Sequence, residues 1–317
     1  MSTPQAEQIK ILRDRSDMLT TARNFFLQRN ILEVDCPLIT QAASIDAHID
    51  LIKVLDEQGT RYLHSSPEYG MKRLLSEGIG DIYQLGHVFR HGEQSLKHNP
   101  EFMMAEWYRL NISFEQMIEE TVEFIRLFIG DLPFHIISYR DLFLKYTSLD
   151  YLHATHQELY NYLTTHEVIP YPGIELEGRD ALLNLILGSL IEPQLGKNEL
   201  CVLAYYPSSQ AALAKTCQRG DETAAERFEI YYKGVELANG YHELTNSTEQ
   251  RQRFIESNAF RLQLGKETLP IDELFLKALE KGLPDCCGVA VGFDRLMMLR
   301  HNRNNIADVI PFAWDIA

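Results

Sequence analysis

The sequence predicts an α+β fold in which an antiparallel sheet is flanked by helices. Two apolar segments, IYQLGHVFR (82–90) and EFMMAEWYRL (101–110), alternate in side-chain character and enclose a polar loop, as the strands of a long hairpin do. Segments with apolar residues at helical spacing separate this hairpin from further strand-like segments. Long antiparallel strands with helices outside them indicate one large sheet, for which we expect six or seven strands.

The first part of the chain is predicted to contain three helices and five strands. Residues 5–29 carry apolar side chains at helical spacing, and Pro37 interrupts the strand that follows, which suits a sheet edge or an interface. Gln58 and Gly59 join the next two strands, and Pro67 suits the first turn of a short helix. The predicted helices cover 5–29, 67–78 and 113–130, and the predicted strands cover 31–39, 48–56, 60–66, 82–90 and 101–110.

The middle of the chain, about residues 131–200, is predicted to be a helical insertion between two halves of one sheet. Helical patterns cover 137–146, 155–167 and 179–195, and turns with Pro and Gly separate them. The later elements are predicted as strands over 200–207 and 226–244, helices over 248–265 and 271–283, and a strand leading into a helix over 288–300. No repeat or Gly/Ser linker marks a boundary, so we expect residues 1–317 to form a single domain.

Composition and charge narrow the range of functions. The 317 residues include 45 acidic and 30 basic side chains, and the formal net charge of −15 opposes non-specific attraction to nucleic acid or to anionic membranes. The five cysteines form no CxxC pair, as expected for reduced thiols. The N-terminus has no apolar signal segment, and the most apolar run, ALLNLILGSLI, is too short to span a bilayer. We therefore expect a cytoplasmic protein without a membrane partner.

The loop of the long hairpin combines residues that suit a nucleotide. Arg90, at the root of one strand, offers a guanidinium to a phosphate, and Phe102, at the root of the other, offers an aromatic face to a base. The polar residues between them include His91, Glu93, Lys97, His98 and Asn99. An ordinary solvated loop explains the same composition, and this stretch alone does not decide between the two.

Residues 288–295, GVAVGFDR, are informative through the alternation of a strand. Gly288, Ala290 and Gly292 share one face, while two valines and a phenylalanine share the other. A face nearly free of side chains lets a ligand or another backbone approach closely. Arg295 follows near the start of a helix, where a phosphate would also meet backbone N–H groups. A glycine-containing core strand followed by a capped helix is the alternative.

Residues 235–244, VELANGYHEL, carry two carboxylates that suit a cation. The Asn-Gly pair is a strong hairpin-turn signal, so an ordinary hairpin is one interpretation. Glu236 and Glu243 are seven residues apart and would face opposite ways in a regular strand. Both serve one site only if the strand bulges near Gly240. Converging carboxylates suit Mg²⁺ bound jointly with substrate phosphates, and they equally suit a cationic substrate.

The segment SSPEYGMKRLL (65–75) joins a strand to a helix through Ser66, Pro67 and Glu68. Helix capping and the helix dipole explain these residues, and an ammonium partner for Glu68 is the functional alternative. The sequence contains no P-loop, no dinucleotide-binding glycine motif, no His/Cys cluster at zinc spacing and no nucleophile elbow.

Taken together, these segments resemble the catalytic core of class II aminoacyl-tRNA synthetases, in particular the lysyl branch. The first helix and the strand ending at Pro37 resemble motif 1, FRHGEQSLKHNPEFMMAEWY resembles motif 2, and GVAVGFDRLMML resembles motif 3. Within this branch the chain is most similar to the elongation factor P lysine ligases, a family of lysyl-tRNA synthetase paralogues. The segments LHSSPEYGMKRLL and YHELT support that family, as does the lack of room for an anticodon-binding domain ahead of the core.

The resemblance implies an ATP site and a lysine site. Arg90 would contact the α-phosphate and Arg295 the γ-phosphate as the two catalytic residues, and Phe102 would stack on adenine. The other implied ATP-binding residues are His91, Gly92, His98, Asn99, Glu236, Leu237 and Gly292. The implied lysine-binding residues are Ser66, Pro67, Glu68, Tyr108, Glu243 and Ala290, and the implied Mg²⁺ ligands are Glu236 and Glu243.

Two places depart from the lysyl-tRNA synthetase pattern. Ala290 stands where the synthetases have Gly, and in the paralogues this position is associated with accepting β-lysine in place of α-lysine. After the motif 2 arginine the family has Asn-Glu, whereas this chain has His91 and Gly92, with an acid one residue later at Glu93. The resemblance leaves open whether Glu93 or the Gly92 carbonyl contacts adenine.

The implied activity is the ATP- and Mg²⁺-dependent activation of (R)-β-lysine or lysine as an adenylate. The activated lysine would then be transferred to the ε-amino group of a lysine on elongation factor P. We expect a homodimer that forms no stable complex with tRNA. A lysyl-tRNA synthetase core without its anticodon domain and a non-catalytic, synthetase-like regulatory subunit are the alternatives.

Overall fold

The computed structural model describes residues 4–42 and 44–317. The helices of this part are α1 (Pro4–Gln28), α2 (Glu68–Ser76), α3 (Phe114–Ile129), α4 (Tyr139–Thr147), α5 (His156–Thr165), α6 (Ile174–Glu177), α7 (Arg179–Ile186), α8 (Ser247–Gln263), α9 (Glu273–Gly282) and α10 (Phe293–Arg300). The strands are β1 (Leu32–Glu33), β2 (Ile39–Thr40), β3 (Lys53–Asp56), β4 (Gly59–Leu63), β5 (Ile82–Phe89), β6 (Glu101–Leu110), β7 (Phe134–Ser138), β8 (Leu200–Pro207), β9 (Thr216–Arg219), β10 (Glu222–Tyr232), β11 (Val235–His242) and β12 (Cys286–Gly292).

The strands form one large mixed sheet and one small sheet. The large sheet has the order β1-β5-β6-β12-β11-β10-β8-β7, with β9 paired to β10, and the small sheet has the order β2-β4-β3. The α+β prediction is confirmed, but the expected six or seven antiparallel strands are wrong, because β1 runs parallel to β5 and β7 runs parallel to β8. Both parallel strands are short edge strands, so their sequences contain too few alternating residues to reveal them.

The segment 131–200 is less helical than its sequence predicts. Strand β7 takes the place of the first turn of the helix predicted over 137–146. Ser138 ends this strand and caps α4, because its hydroxyl accepts a hydrogen bond from the Asp141 amide. The helix predicted over 179–195 is also divided, since α7 is followed by a π-helix over 187–191. Helices α4, α5 and α7 pack on β8 and β10 in a hydrophobic cluster of their own.

The main hydrophobic core lies between the large sheet and helices α1, α3 and α10. Phe26 of α1 stacks on Tyr83 of β5 with 4.1 Å between ring centres, and it meets the buried Trp107 of β6 edge-on at 5.3 Å. These aromatic contacts hold α1 against the hairpin that carries the predicted nucleotide loop. Within the described residues, no helix has both the length and the apolar character needed to cross a membrane.

The alternation predicted for β12 is confirmed. Val289 and Val291 join the main core, whereas Gly288, Ala290 and Gly292 line a cavity on the opposite face of the sheet. One face of this strand therefore stabilises the fold, while the other leaves open space above the sheet.

Strand β11 contains a bulge, although not at the position expected. Ile230 of β10 pairs with Ala238, and the next residue, Tyr231, pairs with Glu236, so Leu237 is the additional residue. The extra residue shifts the alternation by one position. Glu236 consequently lines the same cavity as the odd-numbered residues that follow it in β11.

Gly240 belongs to a regular part of the strand. It pairs with Phe228 on one side and with Val289 on the other, so the Asn-Gly pair makes neither a turn nor a bulge. A side chain at Gly240 would overlap the Phe228 ring. The glycine is required because a neighbouring aromatic ring approaches its backbone closely.

A buried ion pair between Arg15 of α1 and Asp294 of α10 connects distant parts of the chain. Arg15 Nη1 donates to Asp294 Oδ1 at 2.5 Å, and both side chains are less than one-tenth exposed. The other carboxylate oxygen accepts from the Met103 amide of β6 at 2.8 Å. Asp294 thereby holds the first turn of α10, which carries Arg295, against the sheet.

Asp294→Ala is expected to lower the free energy of unfolding by about 3–5 kcal/mol, because the buried Arg15 guanidinium would lose its counter-ion. The matched control is Asp131→Ala, since Asp131 is exposed and its pairing with Arg126 should contribute less than about 1 kcal/mol. Urea unfolding monitored by circular dichroism measures both changes. Similar small losses in the two variants would contradict a structural role for the buried pair.

Candidate active site

One face of the large sheet forms the floor of a cavity of about 370 Å³. The floor comes from β6, β10, β11 and β12, and the walls come from the start of α2, from α8 and from the loops around residues 44–49, 93–99 and 212–213. The predicted site residues that line this cavity are Ser66, Glu68, Arg90, His98, Asn99, Phe102, Tyr108, Glu236, Leu237, Glu243, Ala290, Gly292 and Arg295.

Three predicted site residues, Pro67, His91 and Gly92, do not line the cavity. Pro67 is buried at the N-cap of α2. His91 and Gly92 are exposed, and His91 borders a separate surface pocket. Gly92 has a φ of +75°, a left-handed conformation in which glycine turns the chain without strain. The next residue, Glu93, does line the cavity.

Arg295 lies at one end of the cavity, near the start of α10. Its Nη1 donates to the Glu236 carbonyl at 2.9 Å and lies 3.4 Å from the Glu236 carboxylate. Its Nη2 contacts His98 Nε2 at 2.7 Å. These contacts connect the hairpin loop with β11 and α10. We call this part of the cavity, formed by Arg90, His98, Phe102, Glu236 and Arg295, the arginine end.

His98 is a neutral member of the arginine end. Burial, followed by the positive charges of Arg295, Arg90 and Lys97, lowers the pKa of His98 to about 4. Since Nε2 must accept the hydrogen bond from Arg295, the ring proton is assigned to Nδ1, which donates to Ser95 Oγ at 2.8 Å. The imidazole therefore orients Arg295 without neutralising its charge.

Arg90 is the less constrained arginine of this end. Among the described residues, the acidic side chain within 4.0 Å of its guanidinium is Glu93, at 3.8 Å. The guanidinium lies over the Phe102 ring, 5.2 Å from its centre, and its buried Nε has no hydrogen-bond partner within the described structure. A buried N–H without an acceptor is costly, so an anionic ligand here would be stabilising.

The Asn99 side chain is used by the fold, although the residue lines the cavity. Its Nδ2 donates to the Glu101 carbonyl at 2.6 Å, and its Oδ1 accepts from the Trp314 amide at 3.0 Å. These bonds tie the hairpin loop to the C-terminal segment. Asn99 therefore shapes the arginine end through the backbone that it holds.

The opposite end of the cavity contains three buried carboxylates, from Glu68, Glu106 and Glu243. Lys72 of α2, which has no exposed surface, lies between two of them. Its Nζ is 2.6 Å from Glu68 Oε1 and 2.5 Å from Glu243 Oε2. We call Glu68, Lys72, Glu106 and Glu243 together the acidic end.

Glu106 is held by two hydroxyl groups and by the sheet. Ser66 Oγ and the Tyr108 hydroxyl each donate to its carboxylate at 2.8 Å. Across the sheet, Ala290 pairs with Glu106 on one side and with Asn239 on the other. The Ala290 methyl thus lies on the cavity floor between a carboxylate and an amide whose oxygen has no partner in the described structure.

The carboxylates of the acidic end are short of positive charge. Burial, followed by repulsion from Glu68, raises the pKa of Glu106 to about 7. Burial likewise raises the pKa of Glu243 to about 8, although Lys72 opposes the change. A cation that enters beside buried carboxyl groups with raised pKa values stabilises their ionised form. The arrangement therefore suits a positively charged ligand.

The sequence interpretation does not identify Lys72 and Glu106 as site residues, although the spacing of each relative to a predicted site residue is informative. Lys72 follows Glu68 by four residues, which places the two side chains on one helix face. Glu106 precedes Tyr108 by two residues, which places the two on one strand face. Neither pattern marks a site until the fold brings α2, β6 and the end of β11 together.

The expected shared Mg²⁺ site requires Glu236 and Glu243 to lie close together, but the structure keeps them apart. With one bulge between them, the two residues lie roughly 20 Å apart along the strand direction, so one ion cannot bridge both. The acidic neighbour of Glu236 is instead Glu229 of β10. Burial, followed by repulsion from the Glu229 carboxylate, raises the pKa of Glu236. Over the described residues, no group of three or more His, Cys, Asp or Glu side chains is suited to a metal ion.

Gly288→Ala is expected to lower the free energy of unfolding by about 1–3 kcal/mol, because the added methyl would overlap the Glu243 carboxylate and the Tyr108 ring. Gly292→Ala is the matched control on the same strand face. Its methyl would meet the Arg295 Cδ at 3.6 Å, an ordinary contact, and should change stability by much less. Thermal unfolding compares the two, and equal shifts would contradict the close packing at Gly288.

Comparisons with known proteins identify the family of this chain. Residues 1–315 match the family described as tRNA synthetases class II (D, K and N). The chain is 41% identical over 320 residues to the elongation factor P--(R)-β-lysine ligase of Haemophilus influenzae (strain PittGG), covering 99% of this chain and 98% of the relative. It is 40% identical over 315 residues to the ligase of the same name from Histophilus somni (strain 2336), covering 98% and 96%. The chain therefore belongs to the class II tRNA synthetase family, and it is a ligase.

Proposed function

We propose that this ligase uses ATP to activate (R)-β-lysine, or lysine, and transfers it to the ε-amino group of a lysine on elongation factor P. The names of the relatives support both the amino acid and the acceptor. The observation that carries the proposal is the acidic end, because three buried carboxylates and one lysine leave a deficit of positive charge. A lysine isomer supplies two ammonium groups, which would offset that deficit.

The proposed reaction has two steps. A carboxylate oxygen of the amino acid attacks the α-phosphorus of ATP, and pyrophosphate leaves with the electrons of the broken P–O bond. The acceptor amine, after losing a proton, then attacks the activated carbonyl carbon, and AMP leaves. The amino acid carboxylate is already ionised at neutral pH, so the first step needs positioning and charge stabilisation and does not need a general base.

The arginine end supports an ATP site. Arg90 has an unpaired buried Nε and a guanidinium available for the α-phosphate, and Phe102 offers its ring to adenine. Arg295, oriented by the neutral His98, suits the γ-phosphate. Leu237 and Gly292 would line the nucleotide through backbone groups, because the bulge and the missing side chain expose them to the cavity.

Glu93 and Glu236 complete this site in the proposal. Glu93 lines the cavity beside Arg90, whereas His91 and Gly92 do not line it, so Glu93 takes the adenine contact in the proposal. Glu236, with Glu229 as a neighbouring acid, would hold Mg²⁺ together with phosphate oxygens, and the metal would neutralise charge that develops on them. Glu243 belongs to the amine site alone.

The proposed assembly is a cytoplasmic homodimer that forms no stable complex with tRNA. Exposed apolar side chains at the end of α1 and around β1 and β2 offer a surface for a second copy; they are Leu27, Leu32, Leu38 and Ile39. The net charge of −15 opposes extended contact with a nucleic acid backbone.

The experiment that tests the function is incubation of the protein with ATP, each lysine isomer and purified elongation factor P, followed by intact mass measurement. We expect the factor to gain one lysyl group, and the gain to require ATP. The control replaces the factor with tRNA. Labelled tRNA without a mass gain on the factor would instead identify a lysyl-tRNA synthetase core.

Arg90→Ala is expected to abolish lysine-dependent ATP–pyrophosphate exchange, a loss of at least about 10²-fold, because the charge that develops on the α-phosphate loses its partner. The fold should remain, since within the described residues the side chain makes a long ion pair with Glu93 and a contact with the Phe102 ring, and neither is a short buried bond. Arg251→Ala, which removes an exposed arginine paired with Glu273, is the control. Normal exchange in Arg90→Ala would contradict its assignment to the phosphate.

Ala290→Gly is expected to shift preference from β-lysine toward α-lysine. The methyl lies on the floor beside Glu106 and Asn239, so its removal deepens the pocket next to the amine-binding groups. We expect the ratio of kcat/KM for the two isomers to change about tenfold, as for one methyl group in a specificity pocket. Both isomers are measured on the same variant, and an unchanged ratio would contradict the role of the floor.

A further inference from the structure

Lys72 is a fully buried cation that does not itself line the cavity. Its side chain leaves α2 and runs between Glu68 and Glu243, and the Phe275 ring of α9 lies 5.9 Å from Nζ. Burying an ammonium is unfavourable unless carboxylates hold it. The two carboxylates therefore hold the Lys72 ammonium in place, and the ammonium in turn fixes the positions of the two carboxylates.

The ion pairs use one oxygen of each acid. Lys72 contacts Glu68 Oε1 and Glu243 Oε2, and the other oxygens, Glu68 Oε2 and Glu243 Oε1, are not bonded to it. Glu243 Oε1 lies directly beside the Gly288 Cα, where the missing side chain leaves space. Both acids line the cavity. Lys72 therefore fixes the orientation of two carboxylates, each of which retains one oxygen for a ligand.

A second feature of the same region indicates a ligand that donates hydrogen bonds. Gln250 of α8 is 1% exposed and lines the cavity, and its Oε1 has no partner within the described structure. Phe254, one turn later on α8, packs on Tyr69 of α2 with 5.6 Å between ring centres, so Gln250 belongs to the α2 side of the cavity. A buried acceptor without a donor is costly, and an ammonium group would satisfy it.

The formal charge of the acidic end is −2, from three carboxylates and one ammonium. Other titratable side chains around it include Tyr69, Tyr108, Tyr241, Cys36, Cys286 and Cys287. Burial raises the pKa of each of these six groups, so they stay neutral and do not alter the count. Asp46 and Arg253 also line the cavity, with opposite charges, and Arg253 pairs with Glu249 at 2.6 Å. The nearby Arg227 is balanced by Glu229, with 2.6 Å between Nη2 and Oε1.

We propose that Lys72 sets the charge selectivity of the cavity. As a resident counter-ion, it leaves two negative charges uncompensated and so selects a ligand with two ammonium groups over a ligand with one. Lys72 is a positioning residue, since it acts through Glu68 and Glu243. The inference rests on the proposed function for the identity of the ligand, a lysine isomer, and concerns only how its amines are recognised.

The test measures binding of 1,5-diaminopentane and pentylamine to the full chain by calorimetry at pH 8.5, where Glu106 and Glu243 are mostly ionised, without ATP. The two probes differ by one ammonium group, and neither has a carboxylate. We expect wild-type protein to prefer the diamine. Glu68→Gln, with Lys72 in place, leaves a charge of −1, so the preference should fall about tenfold or more, as expected for one charge-assisted hydrogen bond.

Lys72→Met removes the charge and keeps the length of the side chain. In the wild type, diamine affinity should rise as the pH increases through about 7 to 8, because Glu106 and Glu243 must be ionised to bind it. Without Lys72 the carboxylates keep their protons to higher pH, so this rise should move up by about one pH unit. Lys281→Met on the exposed face of α9 is the control and should leave the profile unchanged.

The double variant Lys72→Met/Glu68→Gln restores a formal charge of −2. We expect its pH profile and its preference for the diamine to return toward wild type, whereas a purely structural role of Lys72 predicts a result no better than Lys72→Met. If Lys72→Met alone does not fold, Glu68→Gln and the double variant supply the comparison. An unchanged preference in Glu68→Gln, or a double variant without recovery, would overturn the inference.

The outcome is separable from that of the proposed function. Wild-type protein that discriminates between the two amines, with the expected responses of the variants, but supports no lysine-dependent ATP–pyrophosphate exchange would leave the charge selectivity standing and refute the ligase proposal. Lysine-dependent ATP–pyrophosphate exchange in wild type, together with unchanged amine selectivity in the variants, would refute the role of Lys72 and leave the ligase proposal standing.

Discussion

The buried contact of Lys72 with Glu68 and Glu243 is the interaction on which the site depends. A buried ammonium must keep its carboxylates close, so α2 is bound to the segment that follows β11. Gly288 makes this possible, because any side chain at that position would occupy the space of the Glu243 carboxylate. The acidic end is consequently a meeting point of helix and sheet, and its geometry follows from the fold as a whole.

The large sheet sets the distance between the two ends of the cavity. Strands β6, β11 and β12 run across the floor, with Phe102 and Gly292 toward the arginine end and Tyr108 and Gly288 toward the acidic end. The bulge at Leu237 is essential to this arrangement, because without it Glu236 would face the core side of the sheet.

Much of this arrangement could be predicted from local patterns. The bounds of the hairpin strands, the alternation of β12 and the position of Arg295 at the start of α10 each follow from spacing within one segment. Other features could not be predicted in this way. Strand β7 is short, and the helix pattern that follows it obscures it, while the Asn-Gly pair suggests a turn that tertiary pairing with Phe228 and Val289 replaces by straight strand.

The sequence by itself determined the class of the fold, the bounds of the hairpin strands and the glycine-lined face of β12, because each depends on residues near one another in the chain. The tertiary structure alone decided which charges meet. Lys72 and Glu68 could be paired along one helix, but their contact with Glu243, and the approach of Glu106, join residues far apart in sequence. Burial then decides the energetics, since the same carboxylates in water would need no counter-ion at all.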